Sequence, residues 1–148
     1  MAGEPKTDVL PAGSYVLDEQ IGFILRQVSQ RHTGIFVQRI GDGLTPMQWA
    51  VMSKLLEIGQ TSQSALGRTV FMDAATIKGT VDRLEARSLV VRVADADDRR
   101  KLLVDLTEAG REITRRNLAA AAAITQETLA PLDEAEIGLL RGLLERLR

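Results

Sequence analysis

From Leu17 to Ile40, apolar residues recur at Ile21, Ile24, Leu25, Val28, Ile35, Phe36 and Ile40. That spacing is close to the 3.6-residue period of an amphipathic helix. Gly41-Asp42-Gly43 interrupts it. The next run, LTPMQWAVMSKLLEIG, carries a helix-start signature: Thr45 as N-cap, Pro46 at the first helical position and Gln48 closing a capping box, with Gly59 as the stop. Thr61 is expected to cap a short helix to about Thr69. Val70-Phe71-Met72 is a tight apolar connection, and Asp73 caps a second helix to about Arg87. In that second helix Ile77, Val81 and Leu84 form the inward stripe, while Ala75, Thr76, Lys78, Gly79 and Arg83 occupy the other face. Two short helices joined this way make either a helix-turn-helix or an ordinary helical hairpin.

The period then changes. Leu89 to Val93 and Leu102 to Leu106 are β-branched or leucine-rich runs of strand type, separated by the charged, turn-forming ADADDRRK. Thr107 caps a long helix from about Glu108 to Leu129. Within it, LAAAAAI (Leu118 to Ile124) serves high helicity, close helix packing, or both. Pro131 ends that helix, and Asp133 with Glu136 starts a last one with the stripe Ile137, Leu140, Leu143, Leu144, Leu147. The pattern predicts a mainly α fold with a small β-hairpin wing: a winged helix-turn-helix at 45–106. Helical segments at 17–44 and 107–148 flank it, and the start, 1–16, is expected to be flexible.

Composition narrows the chemistry. The absence of cysteine excludes disulfides, thiol catalysis and thiolate metal sites, and the single histidine, His32, makes a zinc site improbable. No phosphate loop or nucleophile elbow is present, so neither an enzyme nor a bound cofactor is expected. No apolar run approaches the roughly 20 residues of a membrane span, and the start lacks a signal pattern, so a cytoplasmic protein is expected. The net charge of −1 gives no global sign of nucleic-acid binding. Locally, Thr61 to Lys101 holds eight Lys/Arg against six Asp/Glu, leaving the remainder at −3.

A charged hairpin tip is often merely solvated. Here Asp98 stands two residues before Arg100, where it can hold the guanidinium in a fixed geometry. A fixed arginine at a hairpin tip suits a narrow minor groove, and Arg99 and Lys101 suit phosphates.

The string DDRRKLLVDLTEAG, Asp97 to Gly110, resembles the wing signature of MarR-type repressors. The resemblance runs upstream through LEARSLVVR to LTPMQWAVM and covers roughly Leu17 to Arg148. One departure is Ser88, where the family commonly has glycine after the recognition helix. The resemblance implies a homodimer built by the N- and C-terminal helices, in keeping with apolar stripes that a small central domain cannot cover. It implies double-stranded DNA with a pseudo-palindromic operator as partner. By the same carry-over Thr76, Lys78 and Gly79 face bases or adjacent backbone, Ala75 permits close approach, and Thr80 and Arg83 meet phosphates. Asp82, awkward near phosphates, is expected to pair with a neighbouring arginine.

The family answers oxidants, metals or small organic molecules. Without cysteine the thiol switch is closed, and a small organic effector remains. Its usual place, between the dimer helices and the winged helix, implicates Phe36, Trp49, Met52 and Met72 as walls and Arg26, His32 and Arg39 as anion partners. His32 reads first as a packed interface residue and Trp49 first as core, with the ligand role second for each. The spellings RQVSQRHTGIF and FMDAATIKGTVDRL resemble a branch controlling aromatic-acid degradation. That implies an aromatic acid or its CoA thioester, of p-coumaroyl-CoA type, as effector. Arg26, Arg31 and Arg39 would then meet the thioester's phosphates. An activator of the same family without an effector, and a winged-helix protein-interaction module, stand as alternatives.

Overall fold

The computed structural model describes residues 11 and 13–148. Most of the expected flexible start at 1–16 lies outside them. A 3-10 turn, Leu17–Glu19, leads into helix α1 (Ile21–Arg39), so the single helix expected from Leu17 is split at Gln20, whose backbone is extended. Then follow α2 (Pro46–Ile58), a two-residue strand β1 (Thr61–Ser62), α3 (Gln63–Thr69), α4 (Ala74–Ala86), β2 (Val90–Ala94), β3 (Leu102–Leu106), α5 (Glu108–Leu129) and α6 (Glu134–Leu147).

The caps explain where helices start. Thr45 and Gln48 form a reciprocal capping box, as do Asp133 and Glu136. Asp73 Oδ1 accepts from the Thr76 N–H at 2.7 Å, and Thr107 Oγ1 from the Gly110 N–H at 3.0 Å. Thr61 does not cap α3. Ser62 does, its Oγ accepting from the Ala65 N–H. Thr61 is instead drawn into β1, which pairs with β3 through Thr61↔Val104 and Ser62↔Leu103. The hairpin is therefore part of a three-stranded antiparallel sheet ordered β1-β3-β2, with β3 central.

The main core joins α2, α3, α4 and the sheet through Val51, Met52, Leu55, Leu66, Ile77, Val81, Leu84, Val90, Val104 and Leu106. A second cluster, Ile35, Phe36 and Ile124, locks α1 to α5, and Ile40 and Trp49 pack against both. The remaining apolar stripe of α1 (Ile21, Ile24, Leu25, Val28) is exposed, as are Leu143, Leu144 and Leu147 of the α6 stripe and Leu139 beside it, while Ile137 and Leu140 of that stripe are half-buried. Helices α1 and α6 thus carry apolar surface that no other described residue covers.

Ser88 sits at φ +57, just past α4. Its N–H donates to Glu85 O and the Leu89 N–H to Leu84 O, the paired bonds of a Schellman stop, with Leu84 and Leu89 both buried. An L-residue is strained there and glycine is not. Ser88→Gly is expected to raise stability by roughly 0.5–1 kcal/mol, less than the full strain because glycine also gains freedom in the unfolded chain. A calorimetric melt checks this, and a lowered Tm contradicts it.

Candidate DNA-binding face and effector pocket

Helices α3 and α4 and their short connection form the helix-turn-helix, with the β2–β3 hairpin beside it as the wing. On α4, Ala75, Lys78 and Arg83 are exposed and Thr76, Gly79 and Asp82 are partly so. The guanidinium of Arg83 lies over Gly79, close enough that an added Cβ there would meet its Nη1 at 3.5 Å. Thr80 departs from expectation. It is fully buried, and its hydroxyl donates to Thr76 O at 2.8 Å, so it has no surface to offer a phosphate. Its phase explains this, because it falls between Ile77 and Leu84 on the inward stripe.

Asp82 is paired on both sides. Lys78 Nζ donates to Oδ2 at 2.6 Å and Arg92 Nη2 to Oδ1 at 2.7 Å. Those hydrogen bonds, Lys78 first, hold the Asp82 carboxyl below the usual range. Arg92 also reaches Glu85 at 2.6 Å and Gln63 at 2.8 Å. It therefore brackets the wing's β2 to both helices of the helix-turn-helix. Arg92 was not singled out by sequence, although a lone arginine within VVRV was the available signal. The Lys78–Asp82 pair is largely exposed and so weak, and Lys78 can exchange it for another acceptor.

At the wing tip, Asp98 Oδ1 accepts from both the Arg100 backbone N–H and its Nε, each at 3.1 Å. These bonds hold the Asp98 carboxyl below its ordinary value. The Arg100 side chain is nevertheless 91% exposed. Arg99 and Lys101 beside it are exposed too. The expected fork is present: one carboxylate orients a guanidinium that stays in solvent.

A second concavity lies between α1, α2 and α5. His32, Phe36, Pro46, Trp49, Ala121, Ile124 and Thr125 line a cavity of about 160 Å³. His32, Phe36 and Trp49 are brought together as expected, but four other candidates are not. Met52 is fully buried in the main core, and Met72 packs against that core from the α3–α4 connection. Arg39 is ion-paired with Glu127. Arg26 is exposed on α1 and is not a wall. Arg31 donates to the carbonyls of Thr128 and Glu127, satisfying the end of α5. His32 Nδ1 lies 2.9 Å from Thr128 Oγ1, whose own proton goes to Ile124 O. Nδ1 therefore carries the donated hydrogen, and Nε2 is the ring atom left to meet a ligand.

A polar hub on the α1–α2 loop ties the start of α2 and the middle of α5 to the end of α4. Asp42, at φ +60, accepts from Arg116 at 2.5 Å and Asn117 at 2.7 Å. Asn117 Oδ1 accepts from the Gly41 N–H. Arg87, at the end of α4, donates to Asp42 O at 2.5 Å and to Gln48 Oε1 at 3.3 Å. The bonds from Arg116 and then Asn117 hold the Asp42 carboxyl below its ordinary value. A group depressed in the folded state adds stability above its unfolded pKa and loses it as pH falls through the folded value. The advantage of the native protein over Asp42→Asn should therefore shrink as pH drops below about 4. Urea unfolding at neutral and acid pH checks this, and a constant difference contradicts it.

Comparison with known proteins agrees with this architecture. The model of the MarR family matches residues 42–101. The transcriptional repressor NicR of Pseudomonas putida is 36% identical over 97% of this chain and 91% of its own length. A probable transcriptional regulator from Pseudomonas aeruginosa superposes with TM-score 0.87 at 54% identity, covering 90% of this chain and all of that one. Bordetella bronchiseptica BpsR, whose DNA binding is regulated by 6-hydroxynicotinic acid, superposes with TM-score 0.86 at 38% identity over 91% of this chain and 97% of its own. The chain belongs to the MarR family of winged-helix transcriptional regulators.

Proposed function

We propose that this protein is a homodimeric repressor that holds a pseudo-palindromic operator and releases it when a single-ring aromatic carboxylate enters the pocket between α1, α2 and α5. Residues 45–106 bind DNA, and 17–44 with 107–148 pair the protomers. The exposed leucines and isoleucines of α1 and α6 support the pairing, together with the apolar groove of about 310 Å³ between α5 and α6. Thr76, Lys78 and Gly79 face bases, Arg83 and Arg99 meet phosphates, and Arg100, positioned by Asp98, enters the minor groove.

One observation carries the effector reading. The pocket is walled by an aromatic pair and a histidine, and its α2 wall is tied by Arg87 to the end of the recognition helix. A ligand that reshapes the pocket has a physical route to the spacing of the two α4 helices. The similarity to BpsR supports a ring acid. The cavity is below the ~300–1,000 Å³ of drug-sized sites, which suits one ring with a hydroxyl donating to His32 Nε2. Two of the three arginines expected to meet thioester phosphates, Arg31 and Arg39, are already engaged by α5. The free acid is therefore preferred over the CoA thioester.

Isothermal titration with 6-hydroxynicotinate, p-coumarate and p-coumaroyl-CoA tests this. A free acid should bind, and His32→Phe should weaken it about ten-fold, the loss of one hydrogen bond. Tight binding of the thioester alone, indifferent to His32→Phe, contradicts the reading.

A further inference from the structure

Phe71 combines two liabilities at one position. It is 81% exposed, more than any other large apolar residue described, and its backbone sits at φ +55. Neither is needed to make the turn. The connection is closed by backbone bonds from the Val70 N–H to Leu66 O and from the Met72 N–H to Gly67 O, and Met72 supplies the inward apolar contact. Glycine at 71 would make the same turn without strain and without exposing a ring. Phe71 therefore does nothing for the fold that a cheaper residue would not do better.

Its location is specific. It stands two residues before Asp73, the N-cap of α4, within about one helical turn of Ala75 and Thr76. On its other side are the exposed Arg68 and Thr69 at the end of α3. In a helix-turn-helix, the N-terminal residues of the second helix contact base edges. A ring placed just ahead of them is continuous with that face, beside a cation suited to phosphate.

We infer that Phe71 is a DNA-contacting residue whose ring packs on a deoxyribose and a thymine methyl at the edge of the groove that α4 enters. The inference rests on the DNA-binding reading above. Phenylalanine is one of the side chains that reads the thymine methyl by apolar contact.

The test is Phe71→Gly in the full chain, with Phe71→Asn as a second residue that tolerates positive φ. Each variant is measured by thermal melting and by anisotropy on operator DNA, with thymines at the flank of each half-site replaced in turn by uracil. Both variants should melt at or above the native temperature and bind operator five- to ten-fold more weakly. One uracil replacement should weaken the native protein and leave the variants unaffected. Native operator affinity in both variants overturns the inference while leaving the repressor reading intact. So does a lowered Tm, which makes Phe71 structural. So does a changed oligomeric mass at unchanged DNA affinity, which makes it a protein-contact residue. Failure of the native chain to bind any duplex overturns both readings.

Discussion

Gly110→Ala is expected to be the most damaging single methyl that can be added to this protein. Gly110 lies in the first turn of α5, where the chain entering β2 crosses it. A Cβ there would stand 2.0 Å from Leu89 O, 3.0 Å from Leu89 C and 3.2 Å from Leu106 Cδ2. The first two are backbone atoms, and neither can swing away. Leu89 O is also fixed by accepting the Thr107 N–H at 3.1 Å, the bond that sets α5 against the sheet. Relief requires moving the start of α5 away from β2, which opens the Schellman stop after α4 and the buried contacts of Leu89 and Leu106. Overpacking of this kind costs about 3 kcal/mol or more, a large share of the ~5–15 kcal/mol of a typical domain. The melting temperature should fall by about 10 °C. Gly34→Ala is the control, since its added methyl meets nothing within 4 Å. A Gly110→Ala melt matching the control contradicts the assigned packing.

Arg100→Ala should give the largest loss of operator affinity that leaves the fold intact. The side chain is almost wholly exposed, and its one partner, Asp98, keeps its own turn role by accepting the Arg100 backbone N–H. Removing it therefore costs the apo protein little. On DNA the change removes a guanidinium from each wing of the proposed dimer. About 1 kcal/mol per wing gives a loss of roughly ten- to a hundred-fold across two half-sites. The loss should be greatest on operators with A·T flanks, whose narrow grooves concentrate negative potential. Asp98→Asn should lose less, because the arginine remains but is no longer oriented. Equal affinities for native and Arg100→Ala protein at physiological salt contradict the minor-groove role.

The local signals in this chain were highly readable. Thr45-Pro46-Gln48, Asp73, Thr107 and Asp133 with Glu136 each mark a helix start, because capping is decided by residues three positions apart. Part of what failed was set by tertiary partners. β1 is two residues long and exists only because β3 lies beside it, so Thr61, a cap by residue type, is taken into the sheet instead. Thr80 and Met52 were misplaced for a different reason. Their helical phase puts them on inward faces, with Ile77, Val81 and Leu84 and with Val51 and Leu55, and phase outweighs residue type at both positions. The Asp42 hub was not legible, since Asp42 and Asn117 are 75 positions apart and neither belongs to a motif. Of the pocket, His32 and Phe36 share one face of α1 and were readable together. Pairing of Arg39 with Glu127 was not.

The most direct test of the whole account is fluorescence anisotropy of labelled duplex from upstream of this protein's own gene, titrated with protein at physiological salt and then with a single-ring aromatic carboxylate such as 6-hydroxynicotinate. Binding far tighter than to random duplex, with two protomers per site, and release on adding the acid are expected. Binding no tighter than to random duplex, or a tight complex untouched by every ring acid and released only by a CoA thioester, would contradict it.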